Sequence, residues 1–153
     1  MLKKVLLVAV ALCAGLVAFG YAMYLGNAAP TVPAISAVDA AQAGKPYVVK
    51  LHAQWCPVCM VTKGMWTQIE DAYAGRVKLV VLDFTNEANT EASRIEAARL
   101  GLDEFFKEYG GATGTIVVLD GRTKQVTASI NGSRDVAEYR AAIDAALARS
   151  RSF

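Results

Sequence analysis

The stretch "KPYVVKLHAQWCPVCM", from Lys45 to Met60, joins a predicted strand to a predicted helix at a pair of cysteines. Its first half contains the run "YVVKLHA", which is apolar enough for a buried strand. From Pro57 to Ala74, apolar residues recur every three or four positions and a glycine follows, as in an amphipathic helix. Cys56 is therefore predicted to lie where the strand ends and the helix begins. In open α/β folds, catalytic groups gather at this edge of the sheet.

The residues around Cys56 predict an activated thiol. A residue before proline favours extended backbone angles and proline favours the first helical position, so Cys56 is predicted to cap the helix that starts at Pro57. Its sulfur would lie near unpaired backbone N–H groups and the positive end of the helix dipole, which stabilise a thiolate. Cys59 follows one turn later on the same side, close enough for a disulfide. One thiol could attack a substrate disulfide and the other could resolve the mixed disulfide.

Two other interpretations of the cysteine pair remain open at this point. A zinc site needs about four ligands, and beyond the N-terminal apolar segment the chain offers only these two cysteines and His52. Together with His52 and Met60, the cysteines could instead form a soft copper(I) site. A structural disulfide across two intervening residues would constrain the unfolded chain little. The spacing and the strand–helix context favour the redox pair.

The rest of the chain predicts an α/β fold with helices on both faces of a sheet. A short helix from Ser36 to Ala43 is expected before the first strand. The run "VKLVVLDF" predicts a second strand of the kind that is buried on both faces in a parallel sheet. The polar stretch from Thr85 to Gly111 contains two short helical patterns separated by Gly101. A hairpin around Asp120-Gly121 and a closing helix, "SRDVAEYRAAIDAALAR", complete the predicted order α-β-α-β-α-β-β-α.

The N-terminus carries a long apolar segment. Residues Val5 to Leu25 contain no charged side chain and are numerous enough to span a bilayer as a helix. Lys3 and Lys4 precede this segment, so the positive-inside rule places the rest of the chain on the far side of the membrane. A cleaved signal peptide would begin the same way and could end at Ala28. We therefore expect a transmembrane anchor or signal peptide over residues 1–28, a linker over 29–35 and a folded domain over 36–149.

Charge excludes one class of partner. The formal net charge of the chain is +2, and Lys3 and Lys4 account for it, so the domain beyond the apolar segment is formally neutral. Nucleic-acid-binding domains carry a basic patch or stripe, and the sequence shows none. We expect no nucleic-acid partner.

The stretch "KPYVVKLHAQWCPVCMVTKGMW" resembles the first strand and active-site helix of the thioredoxin superfamily. Among its members, the chain looks most like the membrane-tethered exported ones: the thioredoxin-like proteins of cytochrome c maturation and the C-terminal domain of the thiol:disulfide interchange reductases. The resemblance implies a thioredoxin-like fold with a central mixed sheet flanked by helices. It also implies a thiol–disulfide oxidoreductase without a cofactor, which would reduce protein disulfides on the periplasmic or extracytoplasmic side. Its electrons would come from a membrane donor of the interchange-reductase type.

The resemblance also implies roles for individual residues. Cys56 would be the exposed nucleophile and Cys59 the buried resolving thiol. Trp55 would form a wall of the substrate groove. Thr113 and Gly114 would lie beside that groove, because "GGATGTIVVL" aligns Gly114 with the cis-proline of the family. A cis bond before a residue other than proline is costly, so we predict a trans Thr113–Gly114 bond in a loop that still lies against Cys56.

Three further features distinguish the chain from most of the family. Lys50 stands where thioredoxins usually carry a buried acidic residue; with Pro57 it would tune the pKa of the thiols, unless it reaches the surface or pairs with Asp83. Gly64 stands where many thioredoxins have a helix-kinking proline. The stretch from Thr85 to Gly111 is longer than in a minimal thioredoxin and is expected to add a helical flap or an inert decoration.

Two alternatives to the enzyme are a metallochaperone domain for copper or another soft metal, and a redox-inactive binding module.

Overall fold

The computed structural model describes residues 44–152. The predicted helix from Ser36 to Ala43 and the predicted anchor or signal segment over 1–28 lie outside this range. Within it, no helix is long and apolar enough to cross a membrane. The elements, in chain order, are β1 (Gly44–His52), α1 (Pro57–Val61), α2 (Lys63–Tyr73), β2 (Lys78–Asp83), α3 (Glu87–Arg99), α4 (Asp103–Tyr109), β3 (Thr115–Gly121), β4 (Val126–Asn131) and α5 (Val136–Arg151).

The four strands of this range form one mixed sheet in the order β2-β1-β3-β4. β1 pairs parallel with β2 and antiparallel with β3, and β3 pairs antiparallel with β4. β1 therefore lies between two neighbours, and its carboxyl end delivers the chain directly to Cys56. This arrangement confirms the predicted mixed sheet of a thioredoxin-like fold.

Helices cover both faces of the sheet, as the sequence predicted. On one face, α2 and α5 pack on β1 and β3 through a cluster of buried side chains that includes Trp66, Ile69, Tyr139 and Ile143. On the other face, α3 and α4 pack through Ala97, Leu102 and Phe105 against a second cluster. Because these three side chains are at most 5% exposed, the segment from Thr85 to Gly111 forms a structural layer of the domain. The expectation of a flap or inert decoration there was wrong.

The predicted helix from Pro57 to Ala74 is interrupted at Thr62. The Thr62 hydroxyl donates to the Val58 carbonyl at 2.8 Å, and the Thr62 backbone has φ −94° and ψ 2°. A threonine hydroxyl that bonds back to the preceding turn bends a helix, so the chain divides into α1 and α2 at this residue. Gly64, which stands at the proline position of the family, follows two residues later.

β2 and the hairpin differ in detail from the predictions. β2 is an edge strand, and Val81 is 44% exposed, so the strand is not buried on both faces. β3 continues through Gly121, and the hairpin turn therefore lies over residues 122–125, where Lys124 adopts a left-handed φ of 61°. Only glycine and a few polar residues adopt this conformation readily.

Candidate active site

Cys56 is the N-cap of α1, as predicted. Its backbone is extended, with φ −83° and ψ 113°, and Pro57 occupies the first turn of the helix. The Cys56 N–H donates to the carbonyl of Ala53 at 3.2 Å, while Sγ of Cys56 accepts the backbone N–H of Cys59 at 3.2 Å. The sulfur thus takes the place that a serine or aspartate oxygen occupies at most helix starts.

The two cysteines differ little in exposure. The resemblance implied an exposed nucleophile, but Cys56 is only 4% exposed and Cys59 2%. The two thiols, which are not joined in a disulfide, form a small buried cluster with Ala53, and Val58 packs against it. An incoming disulfide would have to reach Cys56 between Val58 and the neighbouring loops.

The hydrogen bonds around the two sulfurs separate their pKa values. Burial alone would raise the pKa of Cys56, but hydrogen bonds from the Cys59 thiol, from the Thr113 hydroxyl and from the backbone N–H groups of Cys59 and Val58 outweigh it and lower the pKa. Burial raises the pKa of Cys59, and the hydrogen bond and negative charge of Cys56 raise it further. Cys56 is therefore the more acidic thiol of the pair and Cys59 the less acidic one.

The loop before β3 lies against Cys56. All peptide bonds of residues 44–152 are trans, which confirms the trans Thr113–Gly114 bond. Gly114 is buried with φ +85°, and a Cβ atom placed on it would lie 3.5 Å from Sγ of Cys56. Its N–H donates to the Leu51 carbonyl at 2.9 Å and its carbonyl accepts from Gly132 at 3.2 Å. The loop is thus tied to β1 and to the end of β4 beside the thiolate.

Trp55 is held next to Cys56 by a network that the sequence did not indicate. Its ring is largely exposed, and its Nε1 donates to the carbonyl of Thr85 at 3.0 Å. Thr85 in turn accepts the Gln54 N–H through its hydroxyl and donates its own N–H to Asp83 at 2.8 Å. Asn89 donates to the other carboxylate oxygen of Asp83 at 2.9 Å. The sequence feature that could have indicated this network is the run of polar residues that follows the predicted second strand.

Burial alone would raise the pKa of Asp83, but its hydrogen bonds and the nearby charge of His52 lower it. The hydrogen-bond donors are the hydroxyl and N–H of Thr85 and the amide of Asn89. Asp83 is therefore a half-buried anchor for the segment that holds Trp55, and it does not pair with Lys50.

Lys50 is buried under the site. It is 9% exposed, and its Nζ lies 5.4 Å from the centroid of the Trp66 ring. Among the ion pairs of residues 44–152, none involves Lys50, so neither the pairing with Asp83 nor the route to the surface is observed. Burial lowers the pKa of Lys50, whereas the negative charges of Cys59, Glu70 and Cys56 act in the opposite direction. This supports the interpretation that Lys50 supplies positive charge near the thiols.

His52 and the cysteines do not form a metal site in the part of the chain that the structure describes. No group of three or more histidine, cysteine, aspartate or glutamate side chains there stands close enough to hold an ion. His52 is half-buried, and its Nδ1 has no hydrogen-bond partner within residues 44–152. Met60 is 64% exposed on the outer side of α1.

One segment of the chain matches a known protein family. Residues 36–98, which include both cysteines, match the family model described as Thioredoxin. No curated protein matches the sequence. Trxlp from Edwardsiella tarda EIB202 is a similar solved structure, with 17% identity, 67% of this chain and 84% of that chain covered, and a TM-score of 0.44. MTB DsbF in its mixed oxidized and reduced forms is 15% identical, with 71% of this chain and 85% of that chain covered and a TM-score of 0.48. Oxidized thioredoxin O2 from Arabidopsis thaliana is 17% identical, with 67% of this chain and 75% of that chain covered and a TM-score of 0.43.

The family model matches less than half of the chain, and the segment that it matches contains the capped cysteine pair. Cys56 and Cys59 are thus a helix-capping cysteine pair within a segment that is similar to thioredoxin.

Proposed function

We propose that the protein reduces disulfides of exported proteins from a position in the inner membrane, where its N-terminal apolar segment anchors it. The observation that carries the chemistry is the hydrogen bond from the Cys59 N–H to Sγ of Cys56 at 3.2 Å. It favours a thiolate at the start of α1, because the pKa of Cys56 is lowered while that of Cys59 is raised. Such a pair divides naturally into an attacking and a resolving sulfur.

The reaction follows from this division of roles. The Cys56 thiolate attacks one sulfur of the substrate disulfide, which forms a mixed disulfide and releases one substrate thiolate. Cys59 then loses its proton to the released thiolate or to water, and its sulfur attacks Sγ of Cys56. This step breaks the mixed disulfide, forms the Cys56–Cys59 disulfide and releases the second substrate thiolate. Two electrons pass from the dithiol to the substrate.

The substrate polypeptide would lie between Trp55 and the loop at Thr113–Gly114. Trp55 offers a 62% exposed ring on one side of Cys56. On the other side, the Thr113 hydroxyl already contacts the sulfur, and the Gly114 backbone leaves no side chain in the way. These groups would contact the chain on either side of the disulfide under attack.

Reduction requires an outside source of electrons. Cys56 and Cys59 are the only cysteines beyond the apolar segment, so an external dithiol must reopen the disulfide formed in each turnover. A stabilised thiolate makes a disulfide more oxidising, so the direction of the reaction depends on this donor. A membrane electron donor of the interchange-reductase type would keep Cys56 and Cys59 reduced on the periplasmic side.

The redox state of the two thiols in cells tests the direction. Acid quenching followed by alkylation should recover Cys56 and Cys59 mostly as thiols, because the donor keeps them reduced. Recovery mostly as a disulfide would indicate an oxidase, and thiols protected by bound metal would indicate the metallochaperone.

A pair of matched variants tests the chemistry itself. Cys59→Ala should accumulate mixed disulfides with exported proteins, because the resolving sulfur is missing and Cys56 still attacks. Cys56→Ala is the control and should accumulate none. Equal trapping by both variants would void the assignment of the nucleophile.

The anchor is tested separately from the chemistry. The mature protein should retain Met1 to Leu25 and remain with membranes through high-salt washing. A soluble exported form that starts near Ala29 would show a cleaved signal peptide and would leave the redox assignment intact.

A further inference from the structure

Two lysines converge on a buried tyrosine at the end of the sheet opposite the dithiol. The phenolic oxygen of Tyr47 accepts hydrogen bonds from Nζ of Lys124 at 2.7 Å and from Nζ of Lys78 at 3.0 Å. The same Nζ atoms lie 4.0 and 4.5 Å from the centroid of the Tyr47 ring. Tyr47 is only 2% exposed. Two positive charges therefore share one oxygen at the edge of the core.

Within residues 44–152, no carboxylate forms an ion pair with either Lys78 or Lys124. Asp120, on the same hairpin as Lys124, accepts instead from the backbone N–H groups of Arg122 and Thr123. An ammonium group has three donors and no acceptor, so Lys78 retains donors beyond its bond to Tyr47.

Tyr47 compensates for at most one of the two charges. Burial raises the pKa of Tyr47, but the hydrogen bonds and charges of Lys124 and Lys78 outweigh it and lower the pKa. Even as a phenolate, the tyrosine would carry one negative charge against two positive ones. The cluster stays positive in either protonation state.

A cleft of about 620 Å³ opens beside the cluster. Tyr47 and Lys78 line it, together with Gly75 and the end of α3. Lys45 reaches the same place, because its Nζ donates to the Gly75 carbonyl at 2.6 Å. Glu96 is the acidic residue of the lining, and it pairs with Arg99 at 2.7 Å. The cleft thus combines excess positive charge with room for a ligand.

We propose that this cleft binds a phosphate group, which Lys78 on the cleft wall contacts through charge-assisted hydrogen bonds while Lys45 and Lys124 contact it from the rim. Several ammonium donors around one site match the several acceptor oxygens of a phosphate. The phosphate can come from the head group of an anionic phospholipid or from inorganic phosphate in solution. Thiol–disulfide exchange needs no ligand at this end of the sheet, so the site is separate from the active site.

Lysine acylation in the full-length protein tests this assignment. The reaction rate of each lysine would be measured by mass spectrometry in non-ionic detergent, with inorganic phosphate or with chloride at equal ionic strength. The same measurement would compare nanodiscs of phosphatidylcholine with and without phosphatidylglycerol. We expect the bound phosphate to slow acylation of Lys78 and Lys124 by about tenfold, the effect of one charged hydrogen bond, and to leave Lys107 on α4 unchanged.

The two arms identify the source of the phosphate. Protection by inorganic phosphate in detergent would assign a site for a soluble ligand, and protection only in the phosphatidylglycerol nanodiscs would assign a lipid head group. The bound phosphate should also raise the midpoint temperature of thermal unfolding. We expect this increase in the wild type and in Lys107→Gln, but not in the double variant with Lys78→Gln and Lys124→Gln. Unchanged acylation of Lys78 and Lys124 with both probes overturns the proposal. The wild-type labelling decides the question even if the double variant fails to fold.

Discussion

Gly114 lies so close to Val58 that a Cβ atom on Gly114 would stand 2.7 Å from Cγ1 of Val58. Gly114 also has φ +85°, which residues with a side chain rarely adopt. Val58 lies between the two cysteines, so this approach presses the loop before β3 onto the active-site helix. The glycine is required both by the backbone angle and by the space beside Cys56.

Gly114→Ala should therefore destabilise the domain more than a glycine substitution that changes the backbone angle alone. Gly111 is the matched control, because it has φ +87° and nothing within 4 Å of an added Cβ. We expect Gly111→Ala to lower the free energy of unfolding by about 1 kcal/mol and Gly114→Ala by about 2–4 kcal/mol, since the second also overpacks Val58. Equilibrium denaturation measures both, and equal losses would show that Val58 yields without cost.

A proline at position 114 is incompatible with this loop. The ring of proline fixes φ near −65°, whereas Gly114 has φ +85°. The alignment with the family's cis-proline is therefore one of position in the chain and not of backbone conformation. Gly114→Pro should rebuild the loop, weaken the contact with Cys56 and lower the stability more than Gly114→Ala does.

The hydroxyl of Thr113 should be needed for the reactivity of Cys56. It donates to the Cys56 thiolate and lowers the pKa of this thiol, so Thr113→Val should raise that pKa and reduce the thiolate fraction at neutral pH. Alkylation of Cys56 at pH 7 should slow by about three- to tenfold, and the pH at half-maximal rate should increase. Thr127→Val is the control, because that hydroxyl donates to Val118 on the sheet. An unchanged pH profile for Thr113→Val would contradict this role.

The sequence predicted those parts of the site that depend on local rules. Pro57 after Cys56 was enough to predict the helix cap, because proline restricts both its own backbone and that of the residue before it. The break at Thr62 was not predictable from apolar spacing, which continues through it. It depends on a side-chain hydrogen bond to Val58 that competes with the helix ladder.

Other features depend on tertiary packing that a single sequence does not specify. The apolar run of β2 could not show that the strand lies at the edge of the sheet. The burial of Cys56 arises from the contact between Val58 and Gly114, which are more than fifty residues apart. The support of Trp55 by Asp83 and Thr85 likewise requires two neighbouring strand ends to meet.

Asp83 should stabilise the domain in a manner that depends on pH. Its pKa is lowered in the folded protein, so its contribution is fully present above its unfolded pKa, near 3.8, and is lost as the pH falls through the lower folded value. Asp83→Asn should lower the free energy of unfolding at pH 7 by about 1–3 kcal/mol. Urea denaturation should show that the difference in unfolding free energy between the wild type and the variant shrinks as the pH falls below the unfolded pKa of Asp83. Asp71→Asn, on the exposed side of α2, is the control, and a deficit that stays constant with pH would argue against the charge.

Lys50 makes the opposite kind of contribution. Burial lowers its pKa in the folded state, and the charged or titratable groups that face it are Cys59, Glu70, Lys63 and Cys56. A buried ammonium at Lys50 destabilises the folded protein. The Trp66 ring and the negative charges of Cys59, Glu70 and Cys56 offset this cost, whereas the positive charge of Lys63 adds to it. The ammonium in turn favours negative charge on the sulfurs beside it.

Lys50→Met should separate these two effects. Methionine fills similar space without a charge, so the reduced variant should be about 1 kcal/mol more stable than the wild type at neutral pH, while alkylation of Cys59 becomes slower. As the pH rises from the folded pKa of Lys50 to its unfolded value near 10.5, the unfolded wild type binds more protons than the folded form, so its stability should rise toward that of the variant. Denaturation curves of both proteins across this window, with Lys107→Met on the exposed side of α4 as the control, measure the convergence. A constant difference at every pH would show that Lys50 titrates as a solvated lysine and has no electrostatic role at the dithiol.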